Sequence, residues 1–151
     1  MVKKIVLKGT YCLIIHLKEK SNVKIGKLGF MEFDDGYYVY TGSALNSLKA
    51  RLKRHLSDEK KLFWHVDYLL ANENCEIDEI VYAVDDGKWE CVIATEISKH
   101  GNEIKNFGCS DCGCDSHLFH FKYYTESVNA CIKSFDIVKL ESKMLDDLEL
   151  V

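Results

Sequence analysis

Proline is absent from this chain of 151 residues. Its absence excludes a proline-rich linker, and no other shift in composition marks a domain boundary. Long apolar runs are also absent, so no segment reaches the length of a membrane span or of the apolar stretch of a signal peptide. Low-complexity tracts and internal repeats are lacking as well. We therefore expect one compact domain with a cytoplasmic location and no membrane partner.

The composition that remains is typical of a folded globular domain. Apolar residues make up 47% of the chain and charged residues 29%, which is enough for one buried core at this length. The seven cysteines are an odd number. Because cytoplasmic thiols stay reduced, they favour metal binding or burial over a disulfide framework. Four of them are expected in the core: Cys12, Cys75, Cys91 and Cys131.

The charge distribution points to one basic face. A formal net charge of -4 excludes a protein that coats nucleic acid without selectivity. Basic residues nevertheless concentrate between positions 49 and 61, where six lysines and arginines accompany two acidic residues, and the balance turns acidic from position 136 onward. Lys49, Lys53 and Arg54 are therefore candidate nucleic-acid-binding residues. A solvated helix face and a solvated tail explain the same charges equally well.

The hydrophobic pattern predicts an antiparallel sheet in the first part of the chain. Gly9–Leu17 alternates like a strand and is apolar on both faces. A short hairpin is expected from 23–25 and Phe30–Phe33, around a turn that contains two glycines. A second long strand is then expected over 37–41.

Helices and further strands are predicted after position 43. Ser43 is the predicted N-cap of a helix over 45–56, which places Arg51 and His55 on one face. The buried stripe of this helix is expected to consist of Leu45, Leu48, Leu52 and Leu56. Further helices are predicted over 63–70 and 89–99 and further strands over 77–84 and 117–124, followed by helix and short strand.

Five short motifs carry a family resemblance. They are Gly9-Thr10-Tyr11, Tyr38-Val39-Tyr40-Thr41-Gly42-Ser43-Ala44, Arg51-Leu52, His55 and Glu90-Cys91. In this order, and on these elements, they resemble the GIY-YIG nuclease superfamily. Thr10 and Thr41 replace isoleucines that are usual there, and the segment between the two tyrosine motifs is longer.

Two further segments are similar to an uncharacterised, mostly archaeal branch of that superfamily. They are Trp64-His65-Val66-Asp67-Tyr68 and Phe107-Gly108-Cys109-Ser110-Asp111-Cys112, the latter continued by Cys114 and Ser116-His117-Leu118-Phe119. The resemblance implies an α+β domain over 9–121, with a three-stranded antiparallel core, an inserted hairpin and flanking helices. Residues 122–151 are then a C-terminal extension that packs on the same domain or trails it.

The resemblance implies a catalytic site formed by Tyr11, Tyr40, Arg51, His55 and Glu90. Glu90 would hold one Mg²⁺, or Mn²⁺, which polarises the phosphate and stabilises the leaving group. Arg51 offers a planar cationic fork to a phosphate oxygen. Tyr11 would activate water with Tyr40 orienting it, and His55 is suited to share the role of base. Taken singly, each of these residues is more often a packing or surface residue.

A second set of residues has the spacing of metal ligands. Cys109, Cys112, Cys114 and His117 supply enough soft donors for tetrahedral zinc. Only one Cys-x-x-Cys pair is present, however, and we favour the alternative of a packed loop in which His117 forms a hydrogen bond. A redox pair is a third interpretation. His65 and Asp67 could extend the active site, or could simply belong to a helix N-terminus with a buried tryptophan.

Two functions of different classes follow from these patterns. The first is a metal-dependent endonuclease, a hydrolase that acts on DNA or on structured nucleic acid. The alternative is a non-catalytic nucleic-acid-binding or accessory module with the same fold, in which zinc could hold the cysteine loop.

Overall fold

The computed structural model describes residues 6–108 and 114–147, which contain eight strands and four α-helices. The strands are β1 (Gly9–Leu17), β2 (Ser21–Lys24), β3 (Phe30–Phe33), β4 (Gly36–Ala44), β5 (Cys75–Val84), β6 (Asn102–Glu103), β7 (Leu118–Phe121) and β8 (Lys143–Met144). The helices are α1 (Leu48–Leu56), α2 (His65–Leu70), α3 (Glu90–Ser98) and α4 (Tyr124–Ile137).

The sheet is built around β1, whose two faces are both apolar. β1 pairs with β4 on one side and with β5 on the other, and every strand pair is antiparallel. The full order is β6-β7-β4-β1-β5-β8, while β2 and β3 form a separate hairpin. The expected α+β class, three-stranded antiparallel core and inserted hairpin are confirmed. Three short strands extend the sheet beyond that core.

Helices cover both faces of the sheet, which explains why β1 lacks a polar face. Tyr11, Leu13 and Ile15 face one core layer, which includes residues of α1 and α2. Cys12 and Ile14 face the second layer, against α3 and α4. The segment after position 121 thus contributes α4 to the second core layer and β8 to the edge of the sheet.

Helix α1 begins later than its sequence predicts. Ser43 is not its N-cap, because β4 continues to Ala44 and Ser43 pairs with Thr10 of β1. Ser47 is the N-cap, and its side chain accepts a hydrogen bond from the backbone N–H of Ala50.

The predicted leucine stripe is correspondingly shorter. Only Leu48 and Leu52 are fully buried, whereas Leu45 and Leu56 are 38% and 39% exposed. Leu45 falls in the turn before the helix, and Leu56 is the last helical residue.

One further strand and two cysteines also differ from expectation. The predicted strand over 117–124 is shorter, because α4 begins at Tyr124. Cys12 and Cys131 are buried as expected, but Cys75 and Cys91 are only half-buried. Among the described residues, the longest helix has 14 residues, and none is both long and apolar enough to cross a membrane.

Candidate active site

The two tyrosine motifs meet because β1 and β4 are neighbours in register. Tyr11 lies opposite Gly42. A Cβ atom at Gly42 would lie 2.5 Å from the Tyr11 hydroxyl oxygen, so only glycine leaves room for this ring. Gly9 is restricted in the same way, because a Cβ there would overlap the backbone carbonyl oxygen of Ala83 in β5. Both motif glycines therefore serve close packing around Tyr11 and its strand.

Tyr11 and His55 form a buried hydrogen-bonded pair. The Tyr11 hydroxyl oxygen lies 2.7 Å from His55 Nε2, and both residues are almost completely buried. Burial lowers the pKa of His55 to about 3. Burial also raises the pKa of Tyr11, although the nearby Arg51 guanidinium opposes this shift. At neutral pH the pair therefore consists of a protonated phenol and an uncharged imidazole, whose unprotonated nitrogen can accept a proton.

Tyr40 belongs to the same aromatic group. Its ring lies edge-on to that of His55, with centroids 6.2 Å apart, and contacts Phe107 on another side. Burial raises the pKa of Tyr40 well above its ordinary value. Tyr40 is therefore a neutral hydrogen-bonding group at physiological pH.

Arg51 is fixed in place by β4 and by a tryptophan. Its Nη1 donates a hydrogen bond to the backbone carbonyl of Ser43 at 2.9 Å. The guanidinium carbon lies 4.6 Å from the centroid of the Trp64 ring. This stacking leaves other guanidinium N–H groups for a ligand, because Arg has five in all.

Glu90 stands at the first position of α3, where the helix dipole favours a carboxylate. Ser43 Oγ donates a hydrogen bond to its Oε1 at 3.2 Å, and His117 Nδ1 lies 3.4 Å from its Oε2. Burial lowers the pKa of His117, and Glu90 opposes that shift. The Glu90 side chain keeps 31% of its surface exposed, so a ligand can reach its carboxylate.

One cleft of about 410 Å³ brings most of the predicted residues together. Its lining consists of Tyr11, Tyr40, Gly42, Arg51, Phe63, Trp64, His65, Glu90, Gly108 and His117. His55 lies behind Tyr11 rather than in the lining. Phe63 is 75% exposed, and its ring meets that of Trp64 edge-on.

Arg54, predicted to bind nucleic acid, is already engaged by an acidic partner. Its guanidinium donates to both carboxylate oxygens of Asp67, at 3.0 and 2.9 Å, and to the backbone carbonyl of Lys61. Asp67 is completely buried and also accepts hydrogen bonds from the backbone N–H groups of Phe63 and Trp64. These bonds and the Trp64 ring, whose centroid lies 4.2 Å from the guanidinium carbon, fix the position of Arg54. Its contact with nucleic acid remains a prediction.

The other basic residues of this segment differ in whether the protein already engages them. Lys60 donates hydrogen bonds to carbonyl groups at the C-terminal end of α1, including that of His55 at 2.8 Å. Lys53 is exposed and Lys49 half-buried. Lys49 and Lys53 remain predicted contacts for nucleic acid.

The predicted cysteine ligands lie only partly within the described residues. Cys109 and Cys112 fall outside them, whereas Cys114 and His117 fall inside. Cys91, expected in the core, instead lies beside these two, and the three ligand atoms are all within 4.8 Å of one another. Spacing along the chain does not predict this grouping, because Cys91 lies on α3, far in sequence from Cys114 and His117. The one available signal was that Cys91 directly follows Glu90.

Ser43, beside the cleft, and His65, in its lining, make contacts that the sequence did not predict. Ser43, the predicted helix cap, instead contacts both Arg51 and Glu90. Its position directly after Gly42 in the second motif was the available signal. His65 Nδ1 accepts a hydrogen bond from the backbone N–H of Gly108 at 2.8 Å, which attaches the loop before β7 to α2.

The close contact at Gly42 gives a prediction about stability. Gly42→Ala should lower the free energy of unfolding by about 2 kcal/mol, because the new methyl group displaces the Tyr11 ring from its packed position. Urea denaturation would measure the loss. In a Tyr11→Leu background the clashing ring atoms are missing, so the same substitution should cost less. An equal cost in both backgrounds would contradict the proposed contact.

Comparison with known proteins identifies one family. A family model described as "Domain of unknown function DUF123" matches residues 10–140. No curated protein and no solved structure matches the chain. The match begins at the second residue of β1 and extends past the end of α4, so it includes all the residues of the cleft.

Proposed function

The chain belongs to the DUF123 family, and we propose that it is a metal-dependent endonuclease of the GIY-YIG type. Its proposed substrates are phosphodiester bonds in DNA or in structured nucleic acid. The observation that carries this proposal is the convergence of Tyr11, Arg51 and Glu90 on one cleft from three different elements. A proton-transfer group, a cationic fork and a carboxylate are the three parts that phosphodiester hydrolysis requires.

The donor set at Glu90 suits a hard divalent cation. Mg²⁺ takes one or two carboxylates and completes its shell with water and substrate oxygens. Glu90 offers a single partly exposed carboxylate, anchored by Ser43 and His117. When bound there, Mg²⁺ or Mn²⁺ would stabilise charge on the phosphate and on the leaving oxygen.

Arg51 holds the substrate phosphate against this carboxylate edge of the cleft. Its side chain is already ordered by the Ser43 carbonyl and the Trp64 ring, so little conformational entropy is lost on binding. Exposed Phe63 at the rim offers an aromatic face to a base of the bound strand. Lys53 adds phosphate contacts farther along α1.

Tyr11 and His55 move the proton of the attacking water. The Tyr11 hydroxyl accepts a proton from water while it passes its own proton to His55 Nε2, 2.7 Å away. Burial disfavours the charged forms of both side chains. The negative charge of the substrate phosphate favours the imidazolium form of His55 and so enables the transfer.

Tyr11→Phe should reduce the single-turnover cleavage rate by about 100-fold, because the proton relay is lost. Substrate affinity should change little, since the ring that packs against Gly42 remains. His55 is then left with a buried nitrogen that has no hydroxyl partner, so the thermal stability of the variant must be checked. A cleavage rate close to that of the unmodified protein would contradict the role of Tyr11.

The proposed activity is tested by a panel of nucleic acids. Labelled duplex, nicked, branched and damaged DNA and structured RNA are incubated with the protein in Mg²⁺ and in Mn²⁺. We expect scission of at least one substrate, and its loss in EDTA. Salt-sensitive binding without scission in either metal would instead identify a non-catalytic nucleic-acid-binding module.

A further inference from the structure

We propose that Cys91, Cys114 and His117 form a zinc site beside the cleft, distinct from the Mg²⁺ position at Glu90. The two thiol sulfurs and a ring nitrogen lie within 4.8 Å of one another. Two cysteines and one histidine form a ligand set that zinc accepts, with the fourth tetrahedral position left for water or another ligand. Thiolate and imidazole donors select zinc over Mg²⁺, which prefers oxygen.

The distances are close to those of a formed site. His117 Nε2 lies 3.8 Å from Cys91 Sγ. Tetrahedral zinc with ordinary Zn–S and Zn–N bond lengths separates a sulfur from a nitrogen by about 3.6 Å. Binding therefore needs only small side-chain movements, with the thiol protons released to solvent.

Two of the three ligands are held on fixed backbone. Cys91 is in the first turn of α3, where the helix dipole favours a thiolate. His117 directly precedes β7, its backbone N–H bonds the carbonyl of Phe107, and its carbonyl accepts from Thr41. Cys114 is three residues earlier on the same chain segment. The site thus links α3, which carries Cys91, to the start of β7, which pairs with β4.

The histidine also connects zinc to Glu90. With Nε2 directed toward the cysteines, Nδ1 is the nitrogen that faces the Glu90 carboxylate at 3.4 Å. A metal-bound histidine commonly donates its second N–H to a carboxylate, which orients the ring and strengthens metal binding. Zinc would therefore fix the orientation of Glu90. Only the value of this orientation for cleavage rests on the proposed function; the ligand set and the contact with Glu90 do not.

The site is tested by metal content, without any assay of cleavage. Protein expressed with zinc and purified under reducing conditions should contain about one zinc ion per chain. Cys91→Ser and Cys114→Ser should each lose most of it. Cys75→Ser is the matched control, since Cys75 is also half-buried but lies in β5 outside the cluster, and it should keep its zinc. Far-UV circular dichroism verifies that each variant is folded.

Retention of zinc by Cys91→Ser would overturn the proposal, even if Cys109→Ser or Cys112→Ser lost it. Absence of zinc from the unmodified protein would overturn it as well. If Cys91→Ser does not fold, the site can be tested by loading cobalt into the unmodified protein and into Cys114→Ser. The thiolate-to-cobalt absorption band should be present in the unmodified protein and should be mostly lost in Cys114→Ser, which lacks one of the three ligands. No such band in the unmodified protein would reject the site.

The link to Glu90 has its own measurement. Glu90→Gln should weaken zinc affinity by about 10-fold or more, measured by competition with a chromophoric chelator. Unchanged affinity would reject the link. A loss of affinity in a protein that cleaves no substrate would support the zinc site and count against the proposed endonuclease.

Discussion

Glu90→Gln should lower the Mg²⁺-dependent cleavage rate by about 1,000-fold, the largest effect expected of any single substitution in the cleft. Glutamine has nearly the same shape and can still accept the Ser43 hydrogen bond. It removes the negative charge, however, and with it the only carboxylate in the lining of the cleft among the described residues. Metal binding and charge stabilisation at the phosphate should therefore be lost together. Single-turnover cleavage at saturating protein measures this directly.

Glu96→Gln provides the matched control. Glu96 lies on the same helix, six residues farther along, and pairs with Lys99 at 2.9 Å outside the cleft. This substitution removes the same charge from α3 and should leave the cleavage rate within about twofold, since surface ion pairs contribute little. Equal loss in both variants would mean that the charge of the helix matters rather than the position of Glu90.

Asp67→Asn should lower the free energy of unfolding by about 3 kcal/mol. Asp67 is completely buried and accepts four hydrogen bonds, two from Arg54 and two from backbone N–H groups before α2. An asparagine side chain would place an N–H₂ group against donors and leave the Arg54 charge without a carboxylate partner. Arg54 is 29% exposed, which puts the expected cost at the lower end for a broken buried pair.

The pH dependence of this effect has a definite sign. Burial opposes ionisation of Asp67, but hydrogen bonds from Arg54, Phe63 and Trp64 outweigh it and lower the pKa. A carboxylate with a lowered pKa stabilises the fold above its unfolded pKa, about 3.9, and this stabilisation disappears as the pH falls through the folded pKa. The difference between Asp67→Asn and the unmodified protein should therefore be full at pH 7 and shrink below about pH 4.

Chemical denaturation across pH measures this difference. Exposed Asp58 is the control, and Asp58→Asn should change stability by less than about 0.5 kcal/mol. A similarly small effect of Asp67→Asn at pH 7 would show that the buried ion pair does not hold the segment that carries Trp64.

The sheet was predictable from the sequence because its signals are local. Gly9–Leu17 has the predicted bounds, and Phe30–Phe33 pairs with the preceding strand as expected. The start of α1 was not predictable in this way. Ser43 and Ser47 are both good caps, and only the pairing of Ser43 with Thr10 across the sheet keeps the former in β4.

Order along the chain indicated the principal residues of the cleft but not their contacts. Ser43 and Glu90 are 47 residues apart, and the register of β4 together with the start of α3 decides that they meet. Arg54 pairs with the buried Asp67 of α2, and a count of basic residues along the sequence does not reveal this partner. Cys91 joins Cys114 and His117 only because α3 packs beside the start of β7.

The central claim is that one cleft holds a divalent metal at Glu90 and a substrate phosphate at Arg51. The most direct test is a crystal structure with Mn²⁺ and a non-hydrolysable phosphorothioate oligonucleotide, with manganese located by its anomalous scattering. We predict a manganese peak at the Glu90 carboxylate and a phosphate within hydrogen-bonding distance of the Arg51 guanidinium. An oligonucleotide bound on another surface, with no manganese at the Glu90 carboxylate, would contradict it.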